Sequence, residues 1–146
     1  MAAIGPVDLT LDGGYRFRVA FAGAMLTTDA TPPLGEGRGP DSEMLLAAAV
    51  ANCLSASLAF SLRKFRNAEV PIRARAEARV GPDPSGRTRV QRIDVEIRLG
   101  VPAATLRLLE RALAQYEDHC VVTQSVRAAI PVTVRVVDAD GVALAG

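Results

Sequence analysis

Residues 41–66, DSEMLLAAAVANCLSASLAFSLRKFR, form the longest apolar run of the chain and carry a cysteine, Cys53, near the middle. Both ends are marked as the ends of a helix. Asp41 or Ser42 can cap the free N–H groups, and Glu43 sits where the positive end of the helix dipole favours an acid. Arg63, Lys64 and Arg66 sit where the negative end favours bases. From Met44 to Phe60 the apolar residues fill more than one stripe, which predicts a helix enclosed by protein on all sides. Small residues such as Ala47, Ala48, Ala51, Ala56 and Ala59 would let a second helix or a sheet approach closely. A membrane span is the rival reading. It needs about 20 mostly apolar residues, and Asn52, Cys53, Ser55, Ser57 and Ser61 interrupt this run, so no membrane association is expected.

Working outward, 146 residues with 49% apolar side chains are enough for a single domain, residues 1–146, with a real core. A net charge of +1 and 4% aromatics give neither a basic footprint nor stacking platforms, which argues against nucleic acid as a partner. The start, MAAIGPVDL, lacks the basic and apolar regions of a signal peptide, and two cysteines do not make a disulfide scaffold. A cytoplasmic protein with reduced thiols is expected.

Before the helix, Val7 to Leu11 and Tyr15 to Phe21 flank Asp12-Gly13-Gly14 and read as a hairpin, which Met25 to Thr28 extends. Alternation puts Tyr15, Phe17, Val19 and Phe21 on one face and Arg16 and Arg18 on the other. Asp29 to Pro40, DATPPLGEGRGP, is a loop. After the helix, Ile72–Val80 and Val90–Leu99 alternate apolar with charged residues around a Pro/Gly turn and predict a second hairpin. Pro102 opens a helix predicted to run to about His119, with Leu106, Leu109, Leu113 and Tyr116 on its apolar side. A short helical stretch from Val121 to Ala128 and a strand from Val132 to Val137 follow. The fold class is α+β with a mainly antiparallel sheet.

Cys53 and Cys120 are the natural nucleophiles, one in each helical region. A metal site wants three or four ligands in close spacing, and only His119 stands beside Cys120. A Cys–His hydrolase would use His119 as base, but sequence neighbours on a helix point about 100° apart. A third reading makes each cysteine a small buried hydrophobe. The residues by themselves leave these readings open.

The stretch from Gly39 to Asn52-Cys53 resembles the signature of the OsmC/Ohr family, the osmotically inducible and organic hydroperoxide resistance proteins. That signature is a Pro-x-x-Glu-x-Leu-x-x-Ala start leading to a cysteine, and Pro40, Glu43, Leu45, Ala48 and Cys53 fit it. Cys120-Val121-Val122-Thr123-Gln124 is similar to the Cys-Pro-x-Ser-Asn at the family's second cysteine. The order of elements agrees over nearly the whole chain.

The resemblance implies an antiparallel sheet wrapped around two central helices, completed as an intertwined homodimer. It also implies a cysteine-dependent peroxidase for organic hydroperoxides. Cys53 would attack the peroxide and become a sulfenic acid, and Cys120 would close a disulfide that an external dithiol or lipoyl-type reductant reopens, with no bound cofactor or metal. A thiolate is the attacking form and needs a cation nearby. By resemblance Glu43 would hold an arginine for that purpose, and Arg16, Arg18 and Arg38 are the candidates. In an unbroken helix Glu43 and Cys53 would lie about 15 Å apart along the axis, so an irregularity between them is expected. An apolar wall of Leu45, Val50, Leu54 and Phe60 would suit alkyl hydroperoxides. The alternative is a non-enzymatic relative that binds an apolar ligand or partner in the dimer cleft.

Overall fold

Asp41 does cap the long helix: its carboxylate accepts the Met44 N–H at 2.8 Å. In the computed structural model, which describes residues 1–145, α1 then runs from Ser42 to Lys64 as one continuous helix, so the irregularity expected between Glu43 and Cys53 is absent. Alanine, leucine and serine along this stretch give no reason for a kink, since neither proline nor glycine occurs in it. By length and composition α1 is apolar enough to cross a membrane; its interrupting polar residues do not prevent that. The chain divides into two compact units whose boundary falls in the first turns of α1, after Leu45.

The first unit is built on a three-stranded antiparallel meander, β1 (Asp8–Leu11), β2 (Phe17–Phe21) and β3 (Ala24–Thr28). Leu9 pairs with Val19 and Val19 with Leu26, so the apolar side chains of all three strands share one face, as alternation requires. Val19 is buried, whereas Leu9, Leu11 and Phe21 are exposed. Residues 29–40 form the expected loop, pinned by Asp29, whose carboxylate accepts the backbone N–H groups of Ala30, Glu36 and Arg38.

In the second unit a four-stranded sheet has the order β4 (Ile72–Pro82), β5 (Thr88–Leu99), β6 (Val132–Val137) and β7 (Ala143–Ala145). β5 and β6 are parallel and the other pairs antiparallel, so the pairing is mainly antiparallel as expected. Ile93, Val95, Ile97 and Leu99 of β5 are buried against Val50, Leu54, Leu58 and Leu62 of α1. A bulge between Arg79 and Val80 ends the alternation of β4 and leaves Val80 exposed. The sheet covers one side of α1 only. Met44 and Phe60 are 53% and 62% exposed, and Ala48, Asn52 and Ala56 join them on the open side, so the helix is not enclosed all round as its composition suggested.

The helix predicted from Pro102 to His119 is broken. A single 3₁₀ turn at Ala103–Thr105 precedes α2 (Leu109–Gln115), and Leu108 between them has φ of 50°. The competitor is Asn67, whose side-chain amide takes both backbone groups of Arg107, accepting its N–H at 2.8 Å and donating to its carbonyl at 3.0 Å. α3 (Val121–Arg127) follows, and Asp138 then closes the turn into β7 by accepting the N–H groups of Asp140 and Val142.

Within the sheet, Asp94 accepts hydrogen bonds from neighbouring strands, from Thr133 and from Arg79, the latter at 3.0 Å, with Arg92 at 2.8 Å. The Thr133 hydroxyl foremost, then Arg79, hold this carboxyl at about 2 against its ordinary 3.8. A carboxylate depressed on folding stabilises above its unfolded value and loses that contribution as pH falls through the folded one. Asp94→Asn is therefore expected to lose less stability than the parent between about pH 4 and 2, read from urea midpoints across that range. Superposable acid limbs would contradict the assignment.

Candidate functional site

Cys53 lies on α1 between Val50 and Leu54 and is partly exposed, packed at the edge of the core. Cys120 immediately precedes α3 in extended conformation and is wholly buried. Its N–H reaches the Glu117 carbonyl at 3.0 Å and its own carbonyl accepts the Gln124 N–H at 3.0 Å, so the backbone is fixed on both sides of the sulfur. Both cysteines are free thiols. Both border one core cluster; burial pushes the Cys120 thiol up, and the nearby Cys53 thiol pushes the same way. The Thr123 hydroxyl faces Cys120 Sγ at 2.9 Å in the wholly buried interior; as donor to the ionised sulfur it pulls the thiol back down.

Near Cys120 sits Tyr116, 1% exposed, whose hydroxyl has no hydrogen-bond partner among the described residues. Burial foremost, then the nearby Glu117 carboxylate, raise this phenol well above its ordinary value. Glu117 itself is paired with Arg127. His119 is exposed while Cys120 is buried, which removes the Cys–His hydrolase reading. Among the described residues no group of three or more His, Cys, Asp and Glu is placed to hold a metal ion. Val50 and Leu54 are core residues without exposed surface and Phe60 faces outward, so these members of the expected apolar wall do not share an accessible surface.

In the first unit, Arg16 and Arg38 converge on one carboxylate, that of Glu36, at 3.6 and 2.6 Å. Arg18 instead reaches Asp12 at 3.7 Å. Among the described residues no ion pair involves Glu43, so the acid that gathers the candidate arginines is Glu36. Glu36 went unnoticed in the sequence because it lies inside a Gly/Pro loop, although its position two residues before Arg38 on a loop tied down by Asp29 is a usable signal. Thr123 was also missed as a functional residue; a hydroxyl three positions after a helix-capping cysteine is close to one turn away.

Residues 35–135 match the sequence model of the family described as OsmC-like protein, a span that includes Glu43, Cys53 and Cys120. The chain belongs to the OsmC-like protein family. Solved structures agree on the fold. An OsmC-like protein of Vibrio cholerae aligns with a TM-score of 0.78 at 17% identity, over 93% of this chain and 100% of its own. The organic hydroperoxide resistance protein OsmC of Legionella pneumophila aligns at 0.70 and 17% identity, over 92% and 98%. The organic hydroperoxide resistance protein OhrB of Bacillus subtilis aligns at 0.69 and 17% identity, over 92% and 99%. No curated protein matches this OsmC-like chain by sequence. The shared architecture is α+β, with three helices and two sheets in this member.

Proposed function

We propose that this OsmC-like chain is a cysteine-dependent peroxidase for organic hydroperoxides. The Cys53 thiolate attacks the terminal oxygen of the hydroperoxide: an S–O bond forms, the O–O bond breaks, and the alkoxide leaves and takes up a proton as the alcohol. Cys53 is then a sulfenic acid. Cys120, as thiolate, attacks the Cys53 sulfur and displaces hydroxide, which becomes water with the proton Cys120 gave up. An external dithiol or lipoyl-type reductant reopens the disulfide and is itself oxidised. The observation that carries this reading is that two thiols far apart in sequence, one partly exposed and one buried, border a single core cluster. By the family resemblance the thiolate would draw on Arg16 or Arg38, which Glu36 gathers. The hydroperoxide-resistance names of the structural neighbours at low identity support the substrate class. A cytoplasmic setting, where dithiols keep the pair reduced, fits this cycle.

The working form is a homodimer. Exposed Leu9, Leu11 and Phe21 on one face of the meander, and separately the open stripe of Ala48, Asn52, Ala56 and Phe60 on α1, supply surfaces that a second copy would cover. Phe60→Glu is expected to shift the protein toward monomer in sedimentation equilibrium; a variant that sediments like the parent counts against α1 as the interface.

The cycle is tested by mixing reduced protein with cumene hydroperoxide. One equivalent should be consumed without added thiol, leaving an intramolecular Cys53–Cys120 disulfide by mass spectrometry, and many equivalents with excess dihydrolipoamide. A protein that leaves the hydroperoxide untouched refutes the proposal.

A further inference from the structure

Thr123 and Cys120 are both fully buried, and the thiol and hydroxyl face each other at 2.9 Å. A threonine hydroxyl is both donor and acceptor and rotates to suit its partner. With Cys120 as a thiol it accepts the S–H; with Cys120 as a thiolate it can turn and donate its O–H. The other titratable groups about this sulfur are Cys53 on α1 and Tyr116 at the end of α2, with the Glu117–Arg127 pair beyond the tyrosine. Neither Cys53 nor Tyr116 brings a positive charge, and burial withholds water. Thr123 thus supplies two donors that compensate negative charge on this sulfur, its backbone N–H and its hydroxyl, and both pull it toward ionisation against the burial that opposes it.

Resting on the peroxidase reading above, we propose that Thr123 is a positioning residue for Cys120, holding the buried sulfur toward Cys53 and stabilising it as a thiolate in both directions of disulfide exchange. In closure, Cys120 gives up its proton and attacks the Cys53 sulfenic sulfur, and hydroxide leaves as water. In reopening, the thiolate of an external dithiol attacks the partly exposed Cys53 sulfur, the S–S bond breaks, and Cys120 departs as a thiolate into the Thr123 hydrogen bond before regaining a proton. The departing thiolate's stability sets the ease of that step.

The test separates this role from the peroxidase itself. In the Cys53→Ser background, where Cys120 is the only thiol, thiolate ultraviolet absorbance is titrated against pH for Thr123, Thr123→Val and Thr123→Ser. A hydrogen bond to a charged group is worth enough to move the midpoint by about one pH unit. Thr123→Val is expected to rise by that amount and Thr123→Ser to stay with the parent. With Cys53 restored, the Thr123→Val sulfenic acid formed by one equivalent of cumene hydroperoxide should remain trappable by dimedone about tenfold longer, matching the tenfold lower thiolate fraction. Thr123→Val titrating with the parent, or Thr123→Ser shifting as far as Thr123→Val, overturns the proposal. A parent that consumes no hydroperoxide overturns the peroxidase reading alone, and the titration still decides the role of Thr123.

Discussion

Cys53→Ser is expected to reduce hydroperoxide consumption to the rate of protein-free buffer, while Cys120→Ser consumes one equivalent at the parent rate and then stops. The two outcomes differ because the thiols have different surroundings. Cys53 is the one with exposed surface, so a peroxide can reach it; Cys120 has none, and in the proposed cycle it acts only on what Cys53 has become. A serine hydroxyl at position 53 stays protonated near neutral pH and leaves no nucleophile to attack the O–O bond. A serine at position 120 leaves the first attack intact and the sulfenic acid stranded, open to trapping by dimedone and to further oxidation. The measurement is single-turnover consumption of cumene hydroperoxide, followed by mass spectrometry of the protein. Cys53→Ser reacting as fast as the parent would refute the assignment of the attacking thiol.

Leu54→Ala is expected to be the most costly single truncation next to the site, destabilising by roughly 3 kcal/mol through lost burial and the cavity left behind. At about 3 °C per kcal/mol for a chain of this size, Tm should fall by roughly 10 °C. Leu54 has no exposed surface and belongs to the cluster that joins α1 to β5 and β6, so the neighbours cannot easily close the gap. Because Leu54 follows Cys53 directly, the same change should loosen the thiol pair and slow disulfide closure. Thermal unfolding of the reduced protein measures the first effect and dimedone trapping the second; a drop of only a degree or two would mean that this part of the core relaxes freely.

Much of this molecule was legible from local chemistry. Asp41, the apolar run and the basic residues at its end specify α1 to within two residues, and alternation specifies β5 and β6. What was illegible depended on partners distant in sequence. The break before α2 comes from Asn67, which lies 40 residues from the Arg107 backbone it captures. The open face of α1 escaped notice because composition reports how apolar a helix is but not how many neighbours it has. Sequence motifs singled out Cys53 and Cys120, yet only the fold sets both against one core cluster. In the same way, Glu36 rather than Glu43 is the residue found beside Arg16 and Arg38, since an ion pair requires a loop path that spacing along the chain does not reveal.

The parallel pairing of β5 with β6 has a further consequence. Parallel neighbours cannot be joined by a tight turn, so after Leu99 the chain must leave the sheet and travel back before Val132 can take its place. Cys120 rides on that return journey, in a segment whose length the strands do not dictate. Between Leu99 and Leu109 that excursion is tied down at Ala103 by Asp138 and at Arg107 by Asn67, so side chains from elsewhere in the chain fix the path that leads to Cys120.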